Sequence, residues 1–117
     1  MISQYFTRSE FECKCGCGFA AVDVELLKVL ERVRVHFGLP VIITSACRCE
    51  RHNIAVGGTV NSKHKLGIAA DIQVKGVDPT EVFDFLHNNP PSHGLSLGKY
   101  ETFTHVDVRE GNARWRG

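Results

Sequence analysis

"SKHKLGIAADIQV", Ser62 to Val74, ends in an alternating run. Ile68, Ala70, Ile72 and Val74 project one way and Ala69, Asp71 and Gln73 the other, the period of a strand with one face on a core. Apart from Leu66, the residues before Ile68 are polar or glycine and read as a loop entering that strand. His64 and Asp71 stand seven positions apart, a spacing that no helix turns onto one point. A loop running into a strand can bring them together, provided a third group arrives from elsewhere.

Upstream, "VIITS" at 41–45 is a second β-rich run, followed by the long polar loop "ACRCERHNIAVGGTVNS". A loop of that length inside a compact domain is usually functional. "TRSE" at 7–10 is a capping box for a short helical turn, with Thr7 as N-cap and Glu10 at N3. Asp23 caps a longer helix, in which Leu26, Leu30, Val33 and Phe37 recur at helical spacing until Gly38 and Pro40 stop it. Asp78-Pro79-Thr80-Glu81 opens another helix, with Val82, Phe83, Phe85 and Leu86 on its apolar face and Asn88-Asn89-Pro90-Pro91 at its end. "LSLGKY" and "TFTHVDVR" read as a hairpin-like pair of strands. The expected fold is α+β: one domain over residues 1–117, its helices packed on a mainly antiparallel sheet.

Bulk composition removes several function classes. A hydrophobic content of 43% supports a real core, and a net charge of +1 from 14 basic and 13 acidic residues gives nucleic acid or an anionic membrane nothing to grip. No apolar run approaches the roughly 20 residues of a membrane helix. "MISQYFTRSEFE" has neither the basic start nor the apolar stretch of a signal peptide, so the expectation is cytoplasmic synthesis without one. The five cysteines form two clusters, Cys13, Cys15, Cys17 and Cys47, Cys49. Buried or reduced thiols, a disulfide joining the clusters and a structural metal all fit them. Among the histidines, His36, His52, His87 and His93 read as surface or helix-end residues, with His52 and His93 candidates for a cleft.

In "ETFTHVDVR", Thr104, Val106 and Val108 are expected to face the core, and Glu101, Phe103, His105, Asp107 and Arg109 an aqueous face. His64, Asp71 and His105 together supply two imidazoles and a carboxylate, donors that zinc accepts, and three protein ligands leave a fourth position for water. Taken singly, each of the three reads more readily as an ordinary loop, turn or cap residue, because His and Asp are common in loops.

"TSACRCERHN", "GG", "NSKHKLGIAADI" and "THVDVR" together resemble the zinc D-Ala-D-Ala carboxypeptidase family, which includes murein endopeptidases, phage endolysins and vancomycin-resistance dipeptidases and shares its fold with the hedgehog signalling domain. The family pattern S-x-H-x-x-G-x-A-x-D is met by Ser62, His64, Gly67, Ala69 and Asp71. "SEFECKCGCG" and the "HVDVR...RW" ending resemble its compact phage and prophage-associated branch. The resemblance implies one catalytic zinc ion on His64, Asp71 and His105, and cleavage of peptide bonds in peptidoglycan stem peptides. It makes Arg48 the loop arginine beside the scissile carbonyl. Ser62 and Asn53 become donors to the substrate's carboxylate or backbone, unless they only tie their own loop together.

One departure stands out. Where many relatives carry a catalytic base in E-x-x-H or H-x-H, this chain has Thr102 and Phe103, leaving Asp107 and Glu101 as carboxylates on that strand face. Asp107, two residues from His105, is the expected general base; its other role is to accept the spare N–H of a zinc histidine and orient it. The implied protein is a monomeric zinc peptidase that acts on the cell wall after release. The competing reading is a non-catalytic binding module that keeps the fold.

Overall fold

A computed structural model describes residues 5–13, 17, 22–46, 48–57, 68–91, 94–108 and 112–116, with the backbone alone at 50–52. Thr7 opens a 3-10 turn at Arg8–Phe11, and its amide donates to Glu10 Oε1 at 3.1 Å, as the capping box requires. Helix α1 spans Val24–Phe37; the Asp23 carboxylate accepts the Glu25 amide at 2.8 Å, and Gly38 ends it with a φ of 65°. That left-handed conformation suits glycine. Helix α3, Pro79–Asn88, starts the same way, with Asp78 accepting the Thr80 amide at 2.8 Å. Between them, a six-residue helix α2 at Glu50–Ala55 occupies part of the stretch expected to be loop.

Five strands follow in chain order: β1 Val41–Ser45, β2 Ala69–Val74, β3 Ser96–Lys99, β4 Thr104–Asp107 and β5 Arg114–Arg116. Their order across the sheet is β1-β2-β4-β3-β5, antiparallel except for the β3–β5 pair. The α+β reading and the β3–β4 hairpin are therefore correct. Strand β5 has no counterpart in the sequence reading.

Helices α1 and α3 pack on one face of the sheet. Leu26, Leu30 and Val33 of α1 and Val82 and Leu86 of α3 meet Ala70, Ile72, Val74, Leu97 and Val106 there, joined by Phe6 and Phe11 from the N-terminal turn. The alternation read in β2 thus holds. The aqueous face expected for β4 does not: all four of its residues are buried, His105 to 9% and Asp107 to 0% exposure. β4 is flanked by β2 and β3, and polar groups on an enclosed central strand must find partners in the protein instead of in water.

Candidate metal centre

The site is a single row running across the sheet. Ser45 on β1 pairs with Asp71 on β2, Asp71 with His105 on β4, His105 with Gly98 on β3, and Gly98 with Trp115 on β5. A bulge in β1 sets one end of this row: the register shifts between Ile43 and Ser45, so that Ser45 rather than Thr44 stands opposite Asp71. Thr44 instead donates its hydroxyl to the Asp71 carbonyl at 3.1 Å.

His105 is held from both sides. Its Nδ1 lies 2.9 Å from Asp71 Oδ1, and its Nε2 lies 2.9 Å from Asp107 Oδ2. Burial pulls the His105 pKa down, but hydrogen bonds from the ring to Asp107 and Asp71, with the charges of both carboxylates, outweigh it and leave the pKa above the ordinary 6.5. In the metal-free protein the ring is thus favoured as an imidazolium that donates to both carboxylates.

Asp71 uses its second oxygen for Arg48. The Arg48 Nη2 sits 3.7 Å from Asp71 Oδ2, while Nε donates to Ser45 Oγ and Nη1 to Asn53 Oδ1, each at 3.3 Å. Each of the three guanidinium nitrogens therefore faces an oxygen, an arrangement that fixes the plane of the cation as well as its position. Asn53, 2% exposed, is the buried anchor that α2 contributes.

The other end of the row is aromatic. The Trp115 ring lies 5.1 Å from His105, and its indole N–H donates to the Tyr100 hydroxyl at 3.0 Å. Tyr100 stacks on Phe103 at 4.5 Å. Gly98 makes room for the indole, since a Cβ there would stand 2.4 Å from Trp115 Nε1. Trp115 therefore packs beside the histidine.

Of the residues singled out from sequence, Asp71, His105, Asp107, Arg48 and Asn53 converge here; His64, Ser62 and Gly67 lie outside the described residues, as do His93 and the His52 side chain. Glu101 is exposed on the β3–β4 turn, in a groove of about 410 Å³ that Asp78, Lys99 and Arg116 also line. His36 stacks on Phe85 at 3.9 Å, and His87 accepts from Arg114 Nε at 3.0 Å, so both have helix-surface roles.

A zinc ion fits the donors that are described. Two ligand atoms on one tetrahedral zinc stand roughly 3.3 Å apart for bonds near 2.05 Å. Asp71 Oδ1 and His105 Nδ1 are already 2.9 Å apart, and the far ring nitrogen is held by a carboxylate in the manner common to zinc histidines.

A family model described as Peptidase M15 matches residues 4–107, nearly the whole fold. The chain belongs to the M15 peptidase family. M15 proteins are zinc peptidases, so the Asp71–His105 pair sits in a family that uses the metal its donors suit. No curated protein is significantly similar to the chain. Among the described residues, no helix is long and apolar enough to cross a membrane.

Proposed function

We propose that this M15 protein is a zinc-dependent peptidase that hydrolyses peptide bonds in peptidoglycan stem peptides, as a D-Ala-D-Ala carboxypeptidase or an endolysin-type endopeptidase. The observation that carries the reading is the cross-strand pair of Asp71 Oδ1 and His105 Nδ1 at 2.9 Å, beside a guanidinium fixed by three oxygens. His64, in the family pattern S-x-H-x-x-G-x-A-x-D, is the third donor in this proposal.

Zinc bound by His64, Asp71 and His105 would supply Lewis acidity toward a peptide carbonyl and a water made acidic enough to attack near neutral pH. The chain's own groups do the rest. Arg48 offers a rigid cation to the oxygen that gains charge as the carbonyl is attacked, a contribution typically worth roughly 2.7–4 kcal/mol per donor. Ser45 and Asn53 hold that cation in place, so Asn53 acts through Arg48 as well as being a candidate substrate donor.

Asp107 has two candidate roles, and the geometry favours the orienting one. Its carboxylate is fully buried and engaged on His105 Nε2, which fixes the ring's direction and tautomer. A group acting as general base must instead reach the attacking water directly or through one water.

Mass spectrometry of purified muropeptides, incubated with the protein with and without a chelator, tests the proposal. The expected result is a stem-peptide cleavage that the chelator abolishes and zinc restores. Zinc-loaded protein that binds muropeptides and leaves every bond intact would make it a binding module.

A further inference from the structure

Three cysteines that the peptidase site does not use come together next to the loop that carries Arg48. Cys13 follows the N-terminal turn, Cys17 lies four residues on, and Cys49 directly follows Arg48. Their sulfurs all lie within 4.8 Å of one another. We propose that Cys13, Cys17 and Cys49 supply three ligands of a second zinc site that pins the N-terminal segment to the loop carrying Arg48. The proposal stands independently of the peptidase reading, since none of its ligands belongs to the Asp71–His105 row.

Geometry separates a metal from a disulfide. Cys13 Sγ and Cys49 Sγ are 3.7 Å apart. Two thiolates on one tetrahedral zinc, with bonds near 2.3 Å, stand roughly 3.8 Å apart, whereas bonded sulfurs stand at about 2.05 Å. A disulfide would also leave the third converging sulfur without a purpose. The Cys49 amide points at Cys13 Sγ at 3.4 Å, the kind of N–H to sulfur contact that offsets charge on a metal thiolate. The pairing of the first and third cysteines of the N-terminal cluster leaves three residues between ligands, within the two to four usual for structural zinc. The C-x-C-x-C spacing hides this, because the intervening Cys15 breaks the pattern.

The consequence is local order beside the peptidase site. Cys13 is 2% exposed and sits just after Phe11, which is buried in the core. On the other side, Cys49 accepts the Asn53 amide at 3.0 Å through its carbonyl, so a metal on its sulfur would stiffen the start of α2 and the position of Arg48.

Cobalt(II) titration of the reduced, metal-free full-length protein is the test. The imidazole and carboxylate donors of the peptidase site cannot give sulfur-to-cobalt charge-transfer absorption, so that band reports the thiolate site alone in the wild-type chain. In His105→Ala, where the peptidase site no longer competes for cobalt, it is expected to grow to saturation at one equivalent per chain, and zinc is expected to abolish it. Cys17→Ser, at an exposed position that does not threaten folding, is expected to weaken cobalt binding by more than the roughly 10–100-fold that loss of an outer partner costs. The His105→Ala variant is expected to keep the band. Absence of the band in wild-type protein would overturn the proposal. So would a Cys13–Cys49 disulfide found by peptide mapping of protein purified without reductant, or a band of full strength and affinity in Cys17→Ser.

Discussion

Asp71 and His105 are direct cross-strand partners whose side chains meet at 2.9 Å, and the same carboxylate carries Arg48 on its other oxygen. One aspartate thereby ties the candidate metal ligand to the candidate oxyanion cation. The core face of β2, with Ala70, Ile72 and Val74, sets where that aspartate stands. Asp71→Asn is expected to fold and to lose the peptidase-site zinc along with activity. Circular dichroism and elemental analysis of the same sample check it; unfolding in excess zinc would make Asp71 a structural residue. His105→Ala is likewise expected to lower zinc content by one equivalent.

Asp107→Asn separates orientation from proton transfer. With Asp107 on the far nitrogen of His105, the variant is expected to lose roughly 10–100-fold in zinc affinity and to regain activity when zinc is added. Near wild-type zinc affinity with turnover reduced by orders of magnitude would make Asp107 the base. Wild-type turnover in Asp107→Asn beside an inactive Glu101→Gln would give that role to Glu101.

Arg48→Lys keeps the charge and loses the fork that contacts Ser45, Asn53 and Asp71. Its kcat is expected to fall by more than its KM rises, because the cation acts on charge that develops in the transition state. A change confined to KM would recast Arg48 as an anchor for the substrate's carboxylate.

The two carboxylates on His105 give the metal-free protein a definite pH dependence. Its pKa is raised above 6.5 in the fold, so this contribution to stability is fully present below 6.5 and is lost as pH rises through the raised value. Thermal melts in chelator are expected to show the melting temperature falling across that window. In His105→Gln the slope should flatten. Zinc affinity should run the opposite way and rise with pH, since the metal must displace the ring proton. A metal-free melting temperature that climbs through this window would contradict the charged clamp.

Gly98→Ala tests the aromatic end of the row. The added methyl would meet the Trp115 indole and break its bond to Tyr100, at a cost of about 1–3 kcal/mol. Trp115 is the chain's single tryptophan, so its emission reports the displacement directly. Unchanged emission and stability would show that the indole does not lie over Gly98.

Local signals carried most of the fold. Asp23, Gly38 and Asp78 mark helix ends through their own hydrogen bonds and backbone angles, and period-two alternation marks β2 and β4. Helix α2 left no such signal, because it buries Asn53 while Ile54 stays 71% exposed. Strand β5 is three residues long and acquires its meaning only from parallel pairing with β3. The chemistry of Asp71, His105 and Asp107 was legible from residue type and spacing. Their mutual contacts were not, since these depend on the position of β4 between β2 and β3. Polar alternation suggested a wet face, and enclosure turned the same residues into a buried clamp. Bulge and register, which bring Ser45 and Arg48 to the row, are properties of pairing between distant segments.

Anomalous diffraction at the zinc edge from crystals of the zinc-loaded protein tests the central claim most directly. The account expects a peak bonded to Asp71 and His105 at about 2.0–2.2 Å, with His64 as a third protein ligand and Asp107 still on the far nitrogen of His105. A zinc-loaded, active crystal with no peak on the Asp71–His105 pair would contradict it.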